Sequence, residues 1–212
     1  YDKEGTKTLT SRYRYDDKGQ LSEMTDYRVS SETETAYRYT EYSYDTRGRI
    51  TTFAEISQNA QPTVDDIKAH QIRYTYNEDG NLSKVSYPTT KDGLQSLSYI
   101  YDENGWLQEI KGELHSKGQT TEKVLRSYTY DTFGRLVKTV TTDYKKNDQT
   151  KTITYTYDNV GNRLKEDDGT TTTSYTYNGL DQLKTSTKEK GTAVEEVRQY
   201  DYDANGNQTD VK

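Results

Sequence analysis

The chain has 212 residues, a formal net charge of −6, 30% charged residues and no cysteine. Leu, Ile, Val and Phe together number only 31, below the roughly 20% under which a thick aliphatic core is hard to build. Disulfides, thiol catalysis and Cys-based zinc sites are excluded, the acidic balance with dispersed Lys and Arg argues against nucleic acid, and no stretch approaches the ~20 apolar residues of a membrane helix. Mean hydropathy is −1.22, yet the small net charge cannot keep the chain expanded. The apolar content sits instead in 22 tyrosines, and sixteen of these fall in eight Tyr-x-Tyr pairs. Aromatic residues placed that regularly imply order.

Tyr1-Asp2-Lys3-Glu4-Gly5 reads as a repeat cut in its middle, so the chain is expected to be a piece of a much larger one. The motif Y-x-Y-[D/N]-x-x-G-x-[L/I] then begins at Tyr13, with Tyr15, Asp16 and Gly19, and again at Tyr42, with Tyr44, Asp45 and Gly48. The longest connection follows, from Ser57 to Gln71, and its V-D-D-I-K-A-H stretch predicts one helical turn over Val64–His70. The third copy carries Tyr74, Tyr76, Asn77 and Gly80; the fourth carries Tyr99, Tyr101, Asp102 and Gly105. Lys111 to Thr121 reads as a smaller polar insertion before the fifth copy, with Tyr128, Tyr130, Asp131 and Gly134. Tyr144 to Gln149 is another, ahead of Tyr155, Tyr157, Asp158 and Gly161. In that sixth copy Leu164 arrives one residue late, as though the turn held an extra residue. The seventh has Tyr175 and Tyr177 with Asp181 in place of the glycine, and the eighth has Tyr200, Tyr202, Asp203 and Gly206 with Gln208 near the leucine position.

The second tyrosines are separated by 29, 32, 25, 29, 27, 20 and 25 residues. Such self-similarity marks an array in which each unit packs on its neighbours. Alternation with period two makes each Tyr-x-Tyr step a strand with both rings on one face. Asp or Asn then caps a turn, and Gly three residues on supplies positive φ, giving a type I turn with a glycine bulge. Return strands open with Leu21, Ile50, Leu82, Leu107, Leu136, Leu164 or Leu183. In four copies Met24, Phe53, Val85 or Ile110 follows three positions later; either a bulge re-aims the chain or both faces are partly covered. About sixteen strands in one array exceed the ~10 beyond which twist curls a sheet. The expected fold is therefore all-β and one domain over 1–212: about eight antiparallel β-hairpins in a strongly curved, spiralling sheet, a segment of a shell or open barrel.

No catalytic constellation, metal site or cofactor motif emerges. His70 and His115 lie in loop-like insertions without companions, and the Asp/Gly turns lack the ligand pattern of calcium loops. Tyrosines in paired strand positions read as packing ladders rather than sugar platforms. Trp106 follows Gly105 where other copies have Gln20, Arg49, Asn81, Arg135 or Asn162, so it is expected to be exposed and is a candidate binding residue.

The segments Y-D-T-R-G-R-I from Tyr44, Y-D-T-F-G-R-L from Tyr130 and Y-D-A-N-G-N from Tyr202 resemble the Rhs/YD-repeat family over essentially the whole chain. That resemblance implies hairpins wound side by side into a large β-shell, in extracellular, secreted or cell-surface settings. It implies a non-enzymatic shell segment whose partners are other repeats and domains of the parent chain and an enclosed or presented C-terminal toxin or effector. The Asp-Pro dipeptide of the self-cleaving core found in many bacterial members is absent, so neither cleavage nor toxicity is carried over to these residues. The alternative is an extracellular adhesion module binding carbohydrate or a partner protein, through its loops or Trp106.

Overall fold

Tyrosine and threonine alternating along the chain favour extended backbone with a dry and a wet face, and each such run is a strand in the computed structural model. It describes residues 9–30, 33–58, 60–88 and 92–212; the truncated repeat read at Tyr1–Gly5 lies outside the described residues. Leu9–Tyr15 (β1) and Leu21–Ser30 (β2) form the first hairpin, and Thr33–Tyr44 (β3) and Ile50–Ile56 (β4) the second. Ile72–Tyr76 (β5) and Leu82–Ser86 (β6), then Gly93–Tyr101 (β7) and Leu107–Ser116 (β8), make the third and fourth. Gln119–Tyr130 (β9) with Leu136–Asp143 (β10), and Gln149–Tyr157 (β11) with Arg163–Asp167 (β12), are the fifth and sixth. Thr171–Tyr177 (β13) with Leu183–Lys190 (β14), and Ala193–Tyr202 (β15) with Gln208–Val211 (β16), complete eight. Strand order in the sixteen-stranded sheet follows chain order.

The spacing of three on the return strands is explained by a bulge. Tyr15 pairs with Leu21 but Arg14 with Glu23, so Ser22 is an extra residue. The same offset recurs in the second, third and fifth to eighth hairpins. Skipping one residue puts positions i and i+3 on the tyrosine face. Met24, Phe53 and Val85 thereby pair with Tyr13, Tyr42 and Tyr74, the first tyrosines of their hairpins.

Two expectations are corrected. The sixth turn holds no extra residue: Tyr157 pairs with Arg163, which occupies the leucine position, and Leu164 is the bulged residue. Arginine is accommodated because its guanidinium carbon lies over the rings of Tyr155 and Tyr175, at 5.7 and 4.8 Å. Lys111 to Thr121 is not a loop either, since β8 and β9 run through it and leave only Lys117-Gly118 as the turn. His115 accordingly sits on a strand, with Nδ1 3.0 Å from Thr120 Oγ1.

The predicted helical turn is present as Val64–Ala69 (α1), started by a capping box in which Thr63 Oγ1 accepts from the Asp66 N–H and Asp66 Oδ2 from the Thr63 N–H. His70 closes it, its backbone N–H bonding the Ile67 carbonyl. The connections opposite the Tyr-Asp turns range from the two residues Lys117-Gly118 to the helix-bearing segment between β4 and β5, whereas every Tyr-Asp turn has the same length.

Internal contacts divide the chain into two units, Tyr1–Tyr99 with Lys111–Lys123, and Ile100–Ile110 with Val124–Lys212. All the buried residues described belong to the first, where Thr25, Tyr39 and Ile56 lie in one cross-strand row beside Ala54 and α1 packs on β4. Asp26, also buried, accepts from Ser11 Oγ and from Arg38 Nε, so its carboxylate is satisfied. Among its described residues the second unit has none that is fully buried. Its cohesion must come from contacts between neighbouring repeats.

Candidate functional site

Besides the strand pairing that joins β10 to β11, β12 to β13 and β14 to β15, side-chain links between repeats are made at the Tyr-Asp turns, and each turn is closed the same way. The backbone N–H of Asp131 bonds the Arg135 carbonyl and that of Gly134 bonds the Asp131 carbonyl, both at 3.0 Å. Asp131 Oδ1 accepts from the Phe133 and Arg135 N–H groups at 2.9 and 3.0 Å. The pattern repeats at Asp16, Asp45, Asp102, Asp158, Asn178 and Asp203, while Asn77 Oδ1 accepts from Asn81 N–H. Gly19, Gly48, Gly80, Gly105, Gly134, Gly161 and Gly206 all have positive φ, and Asp181 fills that role at φ +58.

The second tyrosine of a pair reaches back one repeat. Tyr44 Oη donates to the Leu21 carbonyl and Tyr76 Oη to that of Ile50, both at 2.8 Å. In the second unit Tyr130, Tyr157, Tyr177 and Tyr202 donate to the carbonyls of Leu107, Leu136, Arg163 and Leu183 at 2.8–3.0 Å. Outside the fourth hairpin each acceptor stands beside a bulge, where the extra residue interrupts the backbone ladder and a side-chain donor is welcome. Arg163 shows that the lock uses the backbone, not the leucine side chain.

A second set of links was not foreseen from sequence. In six copies the residue after the turn glycine, or after Asp181 in the seventh copy, reaches forward to the next turn. Gln20 Nε2 donates to the Gly48 carbonyl at 3.3 Å and Arg49 Nη1 to that of Gly80 at 3.1 Å. Arg135 Nη1 donates to the Asp158 carbonyl at 2.8 Å, and Asn162 Nδ2 to Asp181 Oδ1 at 2.9 Å. The arginines also stack: Arg49 lies 4.1 Å over the Tyr76 ring and Arg135 5.0 Å over Tyr157. The signal was present in the chain. In all eight copies this position carries a planar end group, from Gln20, Arg49, Asn81, Trp106, Arg135, Asn162, Gln182 and Asn207.

Trp106 occupies that position in the fourth copy, which corrects its expected exposure. It is half-buried, its ring centroid 5.5 Å from that of Tyr130, and it lies against Gly134, the next turn's glycine. Beside it is a groove of 510 Å³ lined by Asp102, Asn104, Gln108, Tyr128 and Asp131 among others.

The electrostatics follow the same geometry. The Arg49 N–H holds the Asp45 carboxyl below its ordinary value, and the Asn207 amide does so for Asp203. At Asp131 and Asp158 partial burial pushes the carboxyl up, but the donors of Arg135 and Asn162 outweigh it and leave both lowered. At a connection opposite these turns, the Lys151 ammonium brings Asp168 to about 2. Burial raises Tyr44, Tyr130, Tyr157 and Tyr177 above 10. A lowered carboxyl stabilises the fold above its unfolded value near 3.8 and ceases to as pH falls through its folded value. A raised phenol contributes fully below pH 10 and fails as pH rises through its folded value, because phenolate cannot donate. Melting temperature should therefore be flat from about pH 5 to 9 and fall on both sides. A titration of melting temperature from pH 2 to 12 that stays flat through pH 11 would show that the hydroxyl locks do not hold the array.

Residues 2–211 match the family model described as teneurin YD-shell. No curated protein matches the chain. A Photorhabdus luminescens Tc holotoxin pore structure carrying a TccC3 mutation aligns at 16% identity and a TM-score of 0.40, over 96% of this chain and 14% of that one. A crystal structure of TcdB2-TccC3-Cdc42 aligns at 17% identity and a TM-score of 0.40, with the same coverages. The chain thus spans only 14% of the length of those two. With the family model reaching from its second residue to its last but one, the chain belongs to the teneurin YD-shell family.

Proposed function

We propose that this β-shell segment is a non-enzymatic wall of a large secreted or cell-surface bacterial protein, and that it encloses or presents a C-terminal toxin or effector. The observation that carries the reading is the hydroxyl-to-carbonyl lock repeated from hairpin to hairpin. It extends a wall by one unit at a time and spends the conspicuous side chains on that wall, not on a reactive centre. The test uses the parent protein. Its C-terminal domain should resist protease while the array is intact and become cleavable when Tyr157→Ala and Tyr177→Ala open two locks. A C-terminal domain cleaved equally fast in both would overturn enclosure.

The groove beside Trp106 supports the second reading, an adhesion module for carbohydrate. Aromatic faces with carboxylate and amide groups around them suit a sugar ring, which offers C–H faces and hydroxyls. Trp106 is the sole tryptophan, so its emission reports directly on the groove. If this reading holds, an oligosaccharide should shift that emission saturably and Trp106→Ala should reduce retention on the immobilised sugar by at least tenfold. Unchanged emission across neutral, acidic and amino-sugar oligomers at millimolar concentration would remove the reading.

A further inference from the structure

The third residue of each Tyr-Asp turn stands at its tip, and the tips differ along the chain. The first three turns carry charged tips, Lys18, Arg47 and Asp79, whereas the last five read Asn104, Phe133, Val160, Leu180 and Asn205. Phe133, Val160 and Leu180 are 81%, 72% and 80% exposed, although neither fold nor hairpin geometry requires an apolar residue there. The five turns belong to the second unit and stand side by side. Trp106 lies on Gly134, Arg135 bonds the Asp158 carbonyl, Asn162 bonds Asp181, and Gln182 borders Gly206. A hairpin occupies two strand spacings, so successive tips are roughly 10 Å apart. A row of exposed apolar side chains rimmed by polar ones marks an interaction surface.

We propose that this row is a self-association edge, its occupant a second copy of the chain related by a two-fold axis through Val160. The order of the tips is the argument. Amide, three apolar residues and amide form a palindrome about Val160, so the two-fold axis sets Phe133 against the partner's Leu180 and Asn104 against the partner's Asn205. Apolar meets apolar and amide meets amide at a spacing the two copies share by construction. No tip in the row carries charge, so like charges do not oppose one another there. The area is far below that of a stable dimer, and the association is accordingly weak.

Because the chain has no cysteine, single thiols report the register. On mild oxidation Val160→Cys should give a disulfide-linked dimer at least tenfold faster than Phe133→Cys, whose two thiols lie on opposite sides of the axis. Phe133→Cys combined with Leu180→Cys should match the Val160→Cys rate. Val160→Lys should weaken association at least tenfold in sedimentation equilibrium at millimolar protein, with melting temperature unchanged because the site is an exposed tip. Equal cross-linking at Val160, Phe133 and a Lys18→Cys control, a double variant no faster than its singles, or a chain that is monomeric at millimolar concentration would overturn the proposal.

Discussion

Alanine at Gly134 should lower unfolding free energy by about 3 kcal/mol, and valine by more. Two penalties combine there. The backbone sits at φ +78, which costs an L-residue about 1–2 kcal/mol. A Cβ would also lie 2.6 Å from Trp106 Cζ2 and 3.1 Å from Cε2, an overlap that the ring can relieve only by leaving Tyr130. Gly105 supplies the control. Its φ is +79, but nothing lies within 4 Å of the added atom, so Gly105→Ala should cost only about 1–2 kcal/mol. Urea midpoints of the two variants, with a Gly134→Ala/Trp106→Ala cycle, separate backbone from packing. Equal losses at Gly134 and Gly105 would show that Trp106 is not wedged against the turn.

The second large effect is expected at Tyr130. Removing the whole ring by Tyr130→Ala should cost about 3 kcal/mol, because it strips Trp106 of the ring that packs against it and leaves the Leu107 carbonyl without its donor. Tyr130→Phe keeps the ring and should cost about 1 kcal/mol. Tyr15 has the same place in its own pair but is 63% exposed, with no hydroxyl partner among the described residues, so Tyr15→Ala should stay within about 1 kcal/mol. Chemical denaturation of the three variants gives the answer. A Tyr15 loss as large as that at Tyr130 would mean that ring propensity for strands, not locking between repeats, sets the stability.

Much of this architecture was legible because it rests on local chemistry. Tyr128-Thr129-Tyr130 alternates in exposure as period two requires, and Asp131 with Gly134 closes the turn that those residue types favour. Even Asp181 could be read as a glycine substitute from its tolerance of positive φ. What escaped depended on partners distant in sequence. Leu164 looks like a displaced core residue because six other copies carry Leu or Ile at the position; the position needs a carbonyl for Tyr177 and a side chain that fits between two rings, and Arg163 supplies both. Lys111 to Thr121 looked like a loop because Leu114 is its one large apolar residue, and a single buried leucine among polar ones gives no hydrophobic period. Trp106 looked exposed because a residue after a turn glycine normally is. Only the neighbouring turn, a full repeat away, reveals why every copy ends that side chain in a flat group.

The two ends of these hairpins tolerate change very differently. At the Tyr-Asp end the turn length is constant, since the capping carboxylate must meet the N–H groups of its own turn while the turn glycine, the acceptor carbonyl and the planar strut meet atoms of the adjacent repeat. At the opposite end two residues suffice between β8 and β9, while a capped helix fits between β4 and β5. Insertions and deletions in the gene should therefore be absorbed at one end and purged at the other. A lineage can then remodel the connections at the tolerant end repeat by repeat while the linked Tyr-Asp turns keep their reading frame.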